Sequence, residues 1–191
     1  MAGRSIRDVS GPDLRVLFCG INPGLWSAAV GRHFARPGNR FWKVLHLSGF
    51  TDRQLDPDDQ QVLPSLGIGI TNLVARATAT AAELSADELR AGARRLETKA
   101  ARLRPGWVAV VGMQAYRSAF GRPRATIGAQ HERLGPAGLW LLPNPSGLQA
   151  RYQLPELVDA FAALRRTAWA EAERNTQTAA VLGARRRKEP R

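Results

Sequence analysis

Two short loops hold the residue types from which a rigid polar site can be built. Gly20-Ile21-Asn22-Pro23-Gly24 follows one apolar run, and Pro143-Asn144-Pro145-Ser146-Gly147 follows another. In each, a proline pushes the asparagine before it away from helical geometry. The glycines let backbone approach a ligand closely. Asn-Pro and Pro-Ser-Gly also form plain turns, so one such loop alone would mean little. Two of them, each ending a buried run, make a site the stronger reading. Neither loop contains Asp or Glu. An asparagine amide does not titrate, but it can hold a water or a ligand edge by hydrogen bonds.

Other chemistries find less support. Cys19 is the only cysteine and lies in the apolar run VLFCGI. That excludes an intrachain disulfide and a cysteine-ligated zinc or iron–sulfur site, and favours a buried structural thiol over a nucleophile. His33, His46 and His131 have no metal-ligand spacing, so neither metal nor cofactor is expected. His46 falls in a helical pattern as a packed or surface residue. His33 could touch a ligand beside Phe34 or be an ordinary loop histidine, and His131 falls in a loop. A phosphate-binding nucleotide enzyme is disfavoured. No Walker sequence is present, and Gly67-Ile68-Gly69 runs on within a strand pattern rather than opening a helix.

The loops need elements to position them. Arg15–Ile21, Gly67–Val74, Trp107–Val111 and Leu139–Leu142 read as short buried strands. Between and after them, Asn39–Leu47, Ser85–Arg104, Gly112–Phe120 and Leu154–Ala172 read as helices. Asn39 is a candidate cap. Ser85 with Glu88 forms a capping box, and Leu89, Ala93, Leu96, Ala100 and Leu103 then line one helical face. Alternating β and α segments predict a single α/β domain, a three-layer α/β/α sandwich around a short, mostly parallel sheet of four or five strands. Ligands of such sheets sit beyond the carboxyl ends of the strands, where both loops fall.

The chain's 191 residues, 44% hydrophobic, suffice for one core. No apolar run is long enough for a membrane helix, and the first residues lack a secretory apolar stretch. A soluble cytoplasmic monomer is expected. The net charge is +12, of which residues 185–191 carry +4 and the rest +8. That balance favours a polyanionic partner, nucleic acid before an anionic membrane. Residues 1–13 read as a flexible lead-in, 14–175 as the domain, and 176–191 as a basic, disordered tail.

Taken together, GINPG and NPSG resemble the mismatch-specific uracil-DNA and thymine-DNA glycosylases of the uracil-DNA glycosylase superfamily. The similarity extends over Val16–Phe50, Gly69–Leu73, Val110–Tyr116 and Leu141–Leu148, and spans residues 14–170. It implies a monofunctional enzyme, acting on double-stranded DNA, that flips uracil or a related base from the helix and hydrolyses its N-glycosidic bond in base excision repair. Candidate bases opposite guanine or in damaged pairs are uracil, ethenocytosine, hypoxanthine and thymine. By this resemblance Asn22 positions the hydrolytic water. Backbone at Gly20 and Ile21 reads the base edge, Phe34 stacks on the flipped ring, and Ser27 and Asn144 line the base. Without the resemblance, a core phenylalanine is the favoured reading of Phe34. Ser146, Gly147, Gln149 and Arg151 approach the DNA, and Leu148 is the apolar wedge that fills the vacated stack.

The pattern departs in two places. Some relatives carry Val-Asp-Arg where this chain has Val74-Ala75-Arg76, and close relatives place an arginine where this chain has Ala150, with Arg151 following. Carboxylate-assisted chemistry is lost at the first. At the second, contact with the opposite guanine falls to Arg151 or is absent. A site lacking carboxylates suits a reaction in which the sugar bond breaks before water attacks. The oxocarbenium ion is itself a strong electrophile and uracil leaves as an anion, so positioning and electrostatics are the main needs. The competing reading of the same fold is a catalytically weak or inactive lesion-binding module. The presence of Asn22 favours the enzyme.

Overall fold

The computed structural model describes residues 5–147 and 151–186, with side chains through 174. Strands β1 (Val16–Gly20), β2 (Ile68–Asn72), β3 (Trp107–Val111), β4 (Gly128–Leu134) and β5 (Ala137–Leu142) form one sheet in the order β2-β1-β3-β5-β4. The first four in that order run parallel, and β4 pairs antiparallel with β5 at the edge. Helices α1 (Leu25–Val30), α2 (Phe41–Leu47), α3 (Ala86–Leu103), α4 (Met113–Phe120) and α5 (Leu154–Arg186) connect or cover the strands, and a 3-10 segment spans Pro57–Leu66.

The uninterrupted apolar runs of the parallel strands follow from burial on both faces. Successive side chains alternate between two cores. Val16, Phe18, Trp107, Ala109, Val111, Trp140 and Leu142 face the layer of α2 and α5. Leu17, Cys19, Val108, Val110, Leu139 and Leu141 face that of α3 and α4. The three-layer α/β/α domain expected from the sequence is therefore the observed one, with five strands. Phe18 of β1 joins α2 and α5 through Phe41 and Phe161, with ring centroids 5.5 and 5.7 Å away. Each such ring, fully buried, contributes about 1.5–3 kcal/mol. Gly92 lets α3 close on the end of β2, since a Cβ there would stand 2.6 Å from the Leu73 carbonyl oxygen. Burial drives the Cys19 thiol's pKa far up, as suits a structural thiol.

Three segments differ from the expectation. Residues 128–134, read as loop around His131, form edge strand β4. Its residues are polar and only one face packs, so no apolar run announces it. The last helix continues past Ala172 as far as Arg186, into the stretch that begins the expected tail. Alanine-rich composition sustains a helix without an apolar face. Within the lead-in, the described residues around Val9 are docked. Val9 is buried and exchanges two backbone hydrogen bonds with Ile70, at 2.9 and 2.8 Å. Beside it, Asp8 accepts from Thr71 Oγ1 and pairs with Lys99 Nζ, each at 2.7 Å. Among the described residues no helix is long and apolar enough to cross a membrane.

Candidate active site

At the carboxyl ends of β1, β2, β3 and β5 lies a cavity of about 350 Å³. Its place is the point where strand order reverses around β1, the usual ligand position in such sheets. Asn22, Asn72 and Asn144 border it, with Ser27, Phe34 and Thr78. No acidic side chain borders it among the described residues, and none of these residues groups His, Cys, Asp or Glu closely enough to hold a metal ion.

The first loop is laced to the chain beyond β2. Leu73 N donates to Gly20 O and Val74 N to Ile21 O, both at 2.9 Å, and Thr78 N donates to Pro23 O at 3.1 Å. Asn22 is anchored by its amide nitrogen. Nδ2 donates to Thr78 Oγ1 at 2.7 Å and Arg76 O at 2.9 Å, with a longer contact to Pro23 O. With Nδ2 so engaged, Oδ1 is the part of the amide left to order a water. Arg76 itself turns outward to Glu88 and the Glu83 carbonyl.

Gly20 contributes space rather than surface. It does not border the cavity, but a Cβ there would meet Asn72 Oδ1 at 2.6 Å and Phe34 Cζ at 3.3 Å. Ile21 does border it. Phe34 sits in left-handed backbone, φ 54°, which costs a residue with a Cβ on the order of 1 kcal/mol. Its ring stacks on Phe41 with centroids 4.0 Å apart, so packing from the core fixes a ring that also edges the cavity. Ser27 is buried, and its Oγ accepts from Ala35 N at 3.1 Å. It therefore holds the turn that carries Phe34.

In the second loop, Asn144 Oδ1 accepts from Ser146 N at 3.0 Å, an Asx turn that leaves Nδ2 as the donor side of the amide. Arg40, unsuspected from sequence, clamps this loop. Its backbone N and Nε donate to Pro145 O, one Nη to Ser146 O, and the other to Tyr152 O. Ser146 borders the main cavity, whereas Gly147 packs on Gly38 beside it. Arg151 borders a neighbouring cavity, reached across Ile21 and Asn144. Leu148 and Gln149 lie outside the described residues.

Other residues also escaped the sequence reading. Asn72 closes β2, where an asparagine is a poor strand residue at a ligand-binding edge; that misfit was the available signal. Thr78 had none. His33, read from sequence as a loop residue, is only 2% exposed and borders the cavity. Burial holds its pKa below 6.5, against the raising effect of the Arg7 carbonyl and Asp8.

A family model described as the uracil DNA glycosylase superfamily matches residues 8–173. Among solved structures, the chain is similar to the solution NMR structure of a Methanosarcina acetivorans protein described as a candidate uracil DNA glycosylase. The TM-score is 0.59 at 16% identity, over 87% of this chain and 98% of that one. At that identity the likeness speaks for the fold, and the site geometry and the family match carry the rest. A cavity lined by Asn22, Asn39, Asn72 and Asn144 at the carboxyl edge of this sheet is thus the setting in which the match falls, and the chain belongs to the uracil DNA glycosylase superfamily.

Proposed function

We propose that the protein is a monofunctional, monomeric DNA glycosylase that flips uracil or a related mismatched or damaged base into the cavity and hydrolyses its N-glycosidic bond. The observation that carries this reading is the anchoring of Asn22. Its Nδ2 is tied to Arg76 O and Thr78 Oγ1, which leaves Oδ1 to hold a water for attack on the sugar's anomeric carbon. No carboxylate is needed for a route in which the bond breaks first, because the oxocarbenium ion captures a positioned water and the proton that water sheds passes to the departed base anion. The departing base carries negative charge. Asn144, its Oδ1 engaged by Ser146 N, offers Nδ2 hydrogens to that charge. Phe34 supplies a stacking surface, and Asn72 an amide that can pair with the base edge.

The family resemblance of the two loops supports the mismatch-specific branch, with uracil opposite guanine as the first substrate. Ser146, Gly147 and Arg151 then face the DNA backbone, and Leu148 fills the vacated stack. The test is a duplex with one G·U pair, incubated with enzyme and then treated with alkali to cut abasic sites. Strand scission is expected. Its absence at equimolar enzyme would overturn the reading. Asn22→Ala should lower single-turnover cleavage about 100-fold or more while duplex binding stays within a few-fold.

A further inference from the structure

Asn72 borders the cavity, and its amide has a partner that can orient it. Nδ2 lies 3.4 Å from Nδ1 of His33. On its other side, His33 Nε2 lies 3.0 Å from the carbonyl oxygen of Arg7. A carbonyl only accepts, so Nε2 carries the ring proton. In a neutral imidazole Nδ1 is then an acceptor, which calls for the NH₂ of Asn72 and not its oxygen.

The backbone that carries the ring is held. His33 N donates to Gln60 Oε1 at 3.0 Å, and Trp42 Nε1 donates to His33 O at 3.1 Å. Arg7 adjoins Asp8, which is fastened to Thr71 and Lys99, and Val9, which is bridged to Ile70. The order Arg7 O, His33, Asn72 is therefore a directional relay. It begins in the docked N-terminal segment and ends in the cavity.

Its consequence is chemical. An amide that flips freely presents either oxygen or nitrogen and fits two edges alike. Fixed as here, Oδ1 accepts while the second Nδ2 hydrogen donates. That matches a base with N3–H and a C4 carbonyl, and opposes one with an unprotonated N3 and a C4 amine. We propose that His33 is a positioning residue that fixes the Asn72 amide and so selects uracil-type over cytosine-type bases. This rests on the glycosylase reading above.

The test compares wild type with His33→Phe, which keeps the ring's bulk and loses both nitrogens. Single-turnover cleavage is measured on duplexes carrying uracil or cytosine opposite guanine. Expected is a fall of at least 10-fold in the uracil-to-cytosine ratio for the variant. An unchanged ratio in a variant that still cuts uracil overturns the proposal and leaves the glycosylase reading intact. A wild type that cuts no uracil duplex overturns both. Should the variant fail to fold, long-range ¹H–¹⁵N spectra of the wild type decide. A neutral Nε2–H tautomer for His33 near pH 7.5 is expected, and an Nδ1–H tautomer overturns the relay.

Discussion

In the proposed mechanism Asn22 works by what holds it, and the chief holder is a threonine hydroxyl. Thr78 Oγ1 accepts from Asn22 Nδ2 at 2.7 Å and donates to Thr80 O at the same distance. Thr78 is also buried. Thr78→Val keeps shape and removes that acceptor, leaving Arg76 O and the longer Pro23 contact to hold the amide. The expected result is a fall of about 10-fold in the single-turnover rate, with duplex affinity unchanged, because positioning of the attacking water is lost and not the binding surface. An equal loss of affinity would place Thr78 in DNA binding instead. At this scale the sequence was legible where local chemistry repeats. Asn22 and Asn144 each stand before a proline in a glycine-bearing loop, and that combination is visible in one dimension. Asn72, Thr78 and Arg40 were not. Their roles depend on partners far along the chain, 105 residues away for the Arg40 Nε bond to Pro145 O.

The elements turn two distant loops into one site. The carboxyl ends of β1 and β5 are separated in the sheet by β3 alone, which brings Asn22 and Asn144 to the same cavity. The second loop then docks against the start of α2 through Arg40 and through the close approach of Gly147 to Gly38. A Cβ on Gly147 would stand 2.6 Å from Gly38 O, a backbone atom that cannot swing aside. Gly147→Ala must therefore displace the loop. A destabilisation on the order of 1–3 kcal/mol is expected from urea unfolding, with weakened binding to a duplex carrying an abasic analogue. A variant of wild-type stability and affinity would show that the loop moves independently of Gly38. Strands with buried runs and the capped helix α3 were legible from periodicity, because both faces or one stripe must be apolar. Edge strand β4 was not, since its exposed face carries polar residues. The same holds for α5 beyond Ala172, where alanine supplies helix propensity without an amphipathic signal.

Across the whole molecule, the N-terminal segment links stability to the site. The composition predicted a flexible lead-in because residues before 14 show no periodicity. What docks the stretch around Asp8 and Val9 is a handful of specific contacts, the Asp8–Lys99 pair and the Val9–Ile70 bridge among them, which no pattern announces. That docking buries His33 and keeps it neutral, with Asp8 and Lys99 as the charged groups that act on it. The sign of the resulting pH effect is fixed. Burial lowers the folded-state pKa below the 6.5 of an unperturbed histidine. The contribution is therefore intact above that value. As pH falls through 6.5 the unfolded chain takes up a proton that the folded one refuses, and stability drops toward the folded pKa. One proton corresponds to a limiting slope of about 1.4 kcal/mol per pH unit. Asp59, Glu88 and Glu132 also have lowered pKa values, but their ordinary values of 3.8, 4.5 and 4.5 place their effects at lower pH. Urea midpoints measured between pH 7.5 and 5.0 should fall for wild type. His33→Phe should fall less steeply, by up to one proton's worth of slope. Parallel curves for the two proteins would mean that His33 takes up its proton in the folded state as easily as in the unfolded one, and that the segment over it opens to solvent.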